Sequence, residues 1–509
     1  MSRFFAAGTL TAGHIALTVL VLVWNLAISG RIARARGVPR ALGGMSAVAG
    51  LVIAPALFAL LASGSVSAGR ALHTLAWLWP ATVLLIAAQS VYAAARNLAA
   101  PPIGVPIAAY NVVLSIISIA RYALSRGDEI PQVLLWLVAA DNGALGLAGA
   151  TSAVLNQMIV HIPILAPISP PRRGPGTPLR GAVAGIAAVW LALIAVAFPG
   201  SALAVESYRR YADDRMQERP DGDFVIGIKI LPRVDRVPPE FSLGSDLSLA
   251  ESLGARALSV YLASGGVTRF ALDSLAHALE QPRTNAILLA GLEVWQSRDP
   301  SDSAVADMLE SRVADVKRIA DRLRPAYLIP AVEPLGTASR LKNTLPMDAL
   351  QGYLHAAAAA ARGVDERIKI MVHVSGIGTS DSALFAWAAR AGSPVDAVSL
   401  SLYPWYNGAV ALDERMATVD RWMLAEHPAK EIWVLEAAGL PLSHGELSQE
   451  RAIWGALAWA TSRSAVKGFI IYQASDRDAP VGLRAPGGRV RNAALAIAPA
   501  ARMLRETIR

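Results

Sequence analysis

Two glutamates stand out as residues that could do chemistry. Glu333 follows an apolar run in the segment PAVEP, and Glu436 follows another in WVLEAAG. A ring of aromatic and polar side chains occupies equivalent places at the ends of other apolar runs. Tyr403 and Trp405 close SLSLYPWY, Tyr472 and Gln473 close IIYQ, His373 lies in IMVHV, and Tyr261 in LSVYL. Paired carboxyls among aromatics match the needs of glycosidic-bond chemistry. One carboxyl must carry a proton for the leaving oxygen, and the other must be ionised to attack the anomeric carbon or activate water. Aromatic faces give a sugar ring an apolar platform. A single acid at a strand end more often caps a helix or meets an arginine. The pair is informative only if one scaffold brings both to the same face.

The pattern of the second half supplies that scaffold. Strands are predicted at 224–231, 256–262, 285–292, 326–332, 368–374, 396–402, 431–435 and 468–473. Helix-compatible stretches lie between them, including 303–323, 347–362, 381–391, 413–425 and 447–463. Repeated strand–helix alternation predicts a (β/α)₈ barrel. The strands read as continuous apolar runs, as expected for strands covered on both faces. Chemistry in such a barrel sits at the C-terminal ends of the strands. That is where Glu333 and Glu436 fall, after strands four and seven.

At these residues the chain resembles the retaining (β/α)₈ glycoside hydrolases. The segment VSLSLYPWY is especially similar to the β-1,4-galactanase and related endoglycanase branches, and the resemblance spans about residues 224–505. It implies that Glu333 is the acid/base and Glu436 the nucleophile. It further implies that Tyr403 orients the nucleophile or touches the sugar, and that Trp405 and Tyr472 line subsites. Tyr261, His373 and Gln473 complete the expected substrate-binding set. The chain departs from the family at Val332, where asparagine usually holds the sugar 2-hydroxyl, and at Tyr472, where tryptophan is common.

The first half has a different composition. The whole chain has 509 residues, 54% hydrophobic, no cysteine and a net charge of +8. Residues 1–200 hold twelve arginines, no lysine and three acids, a net of +9, whereas the remainder carries −1. The basic excess therefore lies between apolar stretches, not on a nucleic-acid-binding face. Stretches near 8–29, 41–63, 74–95, 103–120, 134–160 and 181–203 are long enough to cross a bilayer, which takes about 20 residues. Arginine-rich 30–40 and 169–180 read as cytoplasmic loops. Six spans would leave the N-terminus and the second half outside, in a multi-pass protein of the cytoplasmic membrane. The first span reads as a retained helix, since four arginines follow it.

The expected organisation is thus an α-helical transmembrane domain over 1–204, a charged stalk over 205–223 and the barrel over 224–509. His14, Asn25, Gln89, Asn111, Asp141, Asn142 and His161 fall inside the apolar stretches. They read as helix cross-links more readily than as a relay, and Gly143, Gly146 and Gly149 read as a close-packing face. His444, Glu446, Asp476 and Asp478 read as solvated loop residues. No cofactor motif, metal-ligand spacing or nucleic-acid signature is present, and the absence of cysteine excludes disulfides and thiolate sites. The expected partners are a carbohydrate and the lipid bilayer. Two alternatives stay open: a non-catalytic sugar-binding barrel with membrane assembly partners, or a transporter or lipid-glycan-handling domain with an accessory barrel.

Overall fold

In the computed structural model, the residues described are 12–35, 37–63, 71–72, 74–147, 161–168, 177–220, 222–231, 242–263, 267–280, 286–293, 302–335, 346–374, 378–404, 408–476 and 480–506. The chain divides into two compact units. One comprises Met1–Glu206 and Pro441–Gly445, the other Ser207–Leu440 and Glu446–Arg509.

The first unit is helical. Four of its helical stretches are long and apolar enough to cross a membrane: Arg40–Leu60, Leu78–Ala95, Pro101–Arg126 and Pro178–Ala212. The helices Ala12–Ile32 and Gln132–Leu147 accompany them. The second stretch passes through a π-helical turn at Ala49–Ile53, where Gly50 lies against the Leu165 side chain. Gly143 packs against Ala197 and Ser201, with a Cβ there meeting the Ser201 hydroxyl at 2.9 Å. This is the close approach expected of that glycine face; Gly149 lies outside the described residues.

The fifth expected span is described only in part. A helix covers Gln132–Leu147, and residues 148–160 lie outside the described residues. Beyond the expected span, residues 161–168 (HIPILAPI) are buried but non-helical. Pro163 and Pro167 lack the N–H that a helix interior needs. Three side-chain amides replace the missing backbone ladder. Asn25 accepts from Leu165 N–H (2.9 Å) and donates to Pro163 O (2.7 Å). Asn111 accepts from and donates to Ile164 (2.9 and 2.7 Å). Gln89 does the same with Ala166 (3.0 and 3.1 Å). Trp24 and Tyr110 donate to Leu165 O and Ile162 O. The buried amides thus serve as cross-links, chiefly to this non-helical segment, while Asn111 also donates to Ser90 on the helix Leu78–Ala95 (3.1 Å). An apolar environment tolerates irregular backbone only when its polar groups are satisfied in this way.

The second unit is a closed barrel of eight parallel strands in sequential order, with β8 paired to β1. They are β1 Val225–Ile230, β2 Ala257–Ala263, β3 Ile287–Glu293, β4 Tyr327–Ile329, β5 Lys369–Val374, β6 Ala397–Leu402, β7 Glu431–Ala437 and β8 Val466–Ile471. Each lies within about two residues of its expected place, except that β4 ends three residues early, at Ile329. Helices such as Asp302–Leu323 and Met347–Arg362 cover the outside, burying Val316, Ile319, Leu350 and Leu354. Residues 205–223, read as a stalk, contribute Tyr208 and Tyr211 to the core of this unit. Arg219 donates to the carbonyls of Thr461, Arg463, Ser464 and Val466, closing the floor of the barrel near β8.

The floor is polar, and its acid Glu431 is paired. Glu431 accepts from Tyr327 (2.5 Å), Trp433 (3.1 Å) and Lys369. Trp433 fills the space beneath Gly468, where a Cβ would meet the indole at 2.1 Å. Gly468→Ala is therefore expected to destabilise the unit by about 1–3 kcal/mol through overpacking, read as a lower denaturation midpoint with an unchanged slope.

Candidate active site

Alternation along the strands decides which side chains enter the barrel mouth. On β5, Lys369, Met371 and His373 share the inward face; on β6, Ala397, Ser399 and Ser401 do. On β7, strict alternation from inward Trp433 and Leu435 would turn Glu436 outward. A β-bulge prevents this. Leu400 pairs with Val434, yet Ser401 pairs with Glu436, so Leu435 is the extra residue. The bulge re-aims Glu436 into the barrel.

There Glu436 is almost fully buried, 2% exposed. Its Oε2 accepts from Ser401 Oγ (3.1 Å) and from the Tyr403 hydroxyl. Glu333 stands just past β4 with φ of 48°, in the left-handed region that few non-glycine residues adopt. Its backbone N–H donates to His373 Nδ1 (3.3 Å), and His373 Nε2 lies 2.8 Å from Ser401 Oγ. Since Nδ1 accepts, the proton sits on Nε2 and is donated to Ser401. One neutral imidazole therefore ties the backbone of Glu333 to the carboxylate of Glu436. Burial, outweighing the pull of Glu436, holds His373 below its ordinary pKa, consistent with that neutral form.

Burial, reinforced by the charge of Glu436, pushes Glu333 up to about 8, although Lys229 and Arg415 pull it down. Glu333 is thus protonated at neutral pH, while Glu436 sits among donors. This division is what a proton donor and a nucleophile need.

Of the other expected residues, Tyr403 holds Glu436 and meets Tyr472 edge-on at 5.9 Å. Tyr261 and Tyr472 face each other across Lys229, whose Nζ lies 4.1 and 4.0 Å from their ring centroids. His373 and Gln473 have no exposed surface, so they stand behind the site instead of on its wall. Gln473, joined to Tyr472 by a cis peptide bond, accepts from Leu483 N–H through its carbonyl. Trp405 lies outside the described residues. Val332 is buried against Gly291 on the inner wall.

Sequence reasoning missed Lys229, Ser401 and Arg415. Lys229 had a legible signal: it is the lone charge in FVIGIKIL and shares the inward face of Val225 and Gly227. Ser401 had only its parity on β6, and Arg415 lies on a helix, with its guanidinium donating to Ser401 O (3.2 Å). The loop acids are corrected in kind. Asp476 pairs with Arg491, and Glu446 with Arg489, in a largely buried network instead of solvated loops; Asp478 lies outside the described residues.

His373→Ala removes the group between Glu333 N–H and Ser401. The expected loss is about 1–3 kcal/mol of stability for each polar group left unpaired, measured by chemical denaturation.

No family model matches the chain, and no curated protein matches it. Among solved structures it is similar to xylanase 10B from Thermotoga petrophila, at 11% identity and TM-score 0.42, over 58% of this chain and 100% of that one. It is also similar to a GH53 catalytic domain from Ignisphaera aggregans, at 15% identity and TM-score 0.39, over 56% of this chain and 99% of that one. A third is a β-glucuronidase from Ruminococcus gnavus, at 14% identity and TM-score 0.43, over 57% of this chain and 53% of that one. The functional reading rests on the side chains in the barrel mouth.

Proposed function

We propose that the chain is a membrane-anchored glycoside hydrolase or transglycosidase that works by a two-glutamate retaining mechanism. The observation that carries this reading is the pair of carboxyls in one barrel mouth, one of them holding its proton. Glu333 keeps its proton up to about pH 8, and Glu436 lies under two hydroxyl donors. In the first step Glu333 gives its proton to the glycosidic oxygen as the C–O bond breaks, and Glu436 forms a bond to the anomeric carbon. In the second, Glu333 takes a proton from water or an acceptor hydroxyl, whose oxygen attacks that carbon and releases Glu436. Tyr403 and Ser401 hold the attacking carboxylate. Val332 gives the wall an apolar patch where the resembled family has an amide.

Anchoring follows from the first unit. Its helices expose Val23, Val52, Leu84, Val105, Val189 and Val196 on their outer faces, as an apolar surrounding requires. The arginines of 30–40 and 169–180 support a cytoplasmic side for those loops, and with it an extracytoplasmic barrel acting on exported polysaccharide. The test is a screen of the full chain against polysaccharides and aryl glycosides, with the first-formed anomer followed by proton NMR. Retention of configuration is expected; inversion overturns the nucleophile role, and inactivity on all substrates favours a sugar-binding barrel.

A further inference from the structure

The first unit contains a second polar constellation, separate from the glutamate pair. Arg121 on Pro101–Arg126 reaches Asp141 and Asn142 on Gln132–Leu147, through Nη2 at 2.9 and 3.0 Å. The opposite oxygen of Asp141, Oδ1, faces His161 Nε2 at 3.6 Å, too far for a hydrogen bond. His161 begins the segment held by the three amides, and its ring packs edge-on to Trp190 at 4.6 Å. Asp141 and His161 are 1% and 2% exposed. Among the described residues, Arg121 Nε and Nη1, both His161 nitrogens and Asp141 Oδ1 have no hydrogen-bond partner.

Buried polar groups left unpaired are costly, and charged ones most of all. An ionisable cluster in such a helical unit is a functional candidate for that reason. The unmet groups specify their complement. Arg121 and His161 present several N–H donors, so the ligand must be rich in acceptors. Asp141 Oδ1 also needs a donor, so the ligand must carry one acidic O–H. A carboxylate or sulfate is deprotonated at neutral pH and offers no such donor; against Asp141 it would only be repelled. A phosphate or phosphomonoester can meet both demands, since it gives up its second proton only near about pH 6 and therefore keeps part of its P–OH at mildly acidic pH, where carboxylate and sulfate keep none. Its ionised oxygens accept from Arg121 and His161, and its P–OH donates to Asp141.

We propose that Arg121, Asp141 and His161 form a binding site for a singly protonated phosphate group within the N-terminal unit. The Arg121 side chain is 14% exposed, while its unpaired Nε and Nη1 are buried. Held by Asn25, Gln89 and Asn111, the non-helical segment keeps His161 in place opposite Asp141.

The test uses the full chain in phosphatidylcholine nanodiscs, with empty discs as the blank. Calorimetric titrations at pH 6.5 compare inorganic phosphate, decyl phosphate and sulfate. Saturable binding of a phosphate probe at least ten-fold tighter than sulfate is expected. Binding of decyl phosphate alone identifies a lipid headgroup as the source, and binding of inorganic phosphate as well identifies a free anion. Arg121→Gln and His161→Phe should each weaken phosphate binding at least ten-fold. Asp141→Asn should shrink the preference for phosphate over sulfate towards one, which a purely structural role does not predict. Thermal melts check that each variant folds, and Asp141→Asn remains decisive if Arg121→Gln does not. Absence of phosphate binding, equal affinity for sulfate in the unaltered chain, or unchanged preference in folded Asp141→Asn overturns the proposal.

Discussion

Glu436→Gln is expected to abolish turnover of a reactive aryl glycoside while leaving the thermal melt nearly unchanged. The amide has the shape of the carboxylate and keeps an oxygen for Ser401 and Tyr403 to donate to. It cannot form the bond to the anomeric carbon. Loss of a nucleophile that acts as part of a unit costs on the order of 10³-fold or more in kcat. The leaving group is already activated in an aryl glycoside, so the acid cannot mask the effect. Turnover of the variant at the unaltered rate would remove Glu436 from the mechanism. A large fall in melting temperature would instead mark it as a structural acid.

Glu333→Gln is the second large effect, and it has a pH signature. Loss of general acid–base catalysis costs about 10²–10⁴-fold on substrates with poor leaving groups, and less on activated aryl glycosides. In the unaltered protein, kcat/KM should fall as pH rises through about 8, where Glu333 gives up its proton. That alkaline limb should vanish in the variant. Stability moves in the opposite sense to that of a salt-bridged acid. Glu333 titrates near 8 when folded against an ordinary 4.5, so between these values the folded state binds more protons than the unfolded one. Its contribution to stability is fully present below pH 4.5 and is lost as pH rises through about 8. The melting temperature of Glu333→Gln relative to the unaltered chain should therefore rise between pH 4.5 and 8. A difference that stays flat with pH would mean that Glu333 is not buried with its proton.

Much of the barrel was legible because both strand and helix signals are local. Apolar runs such as FVIGIKIL and EIWVL can be counted from the residues alone, and the helices between them follow from their spacing. Glu333 and Glu436 were legible for the same reason, as acids closing two of those runs. The non-helical segment 161–168 was harder to read. By composition HIPILAPI continues an apolar span. Its prolines warn against a helix, but its conformation depends on amides 50 to 140 residues away, which no local pattern reveals. Lys229 was missed because one charge in a strand carries no meaning until neighbours close around it.

The sequence by itself determined the parts: an arginine-flanked apolar half, eight strands and two acids at strand ends. Those features are properties of short segments and of charge, so they need no partner to exist. Only the tertiary structure decided what each acid can do. The bulge at Leu435 turns Glu436 inward, and the single imidazole of His373 links it to the backbone of Glu333. Burial beside a second carboxyl then keeps the proton on Glu333. Acidity depends on the solvent removed and the charges brought near, and distant segments meet to set both only when the barrel closes.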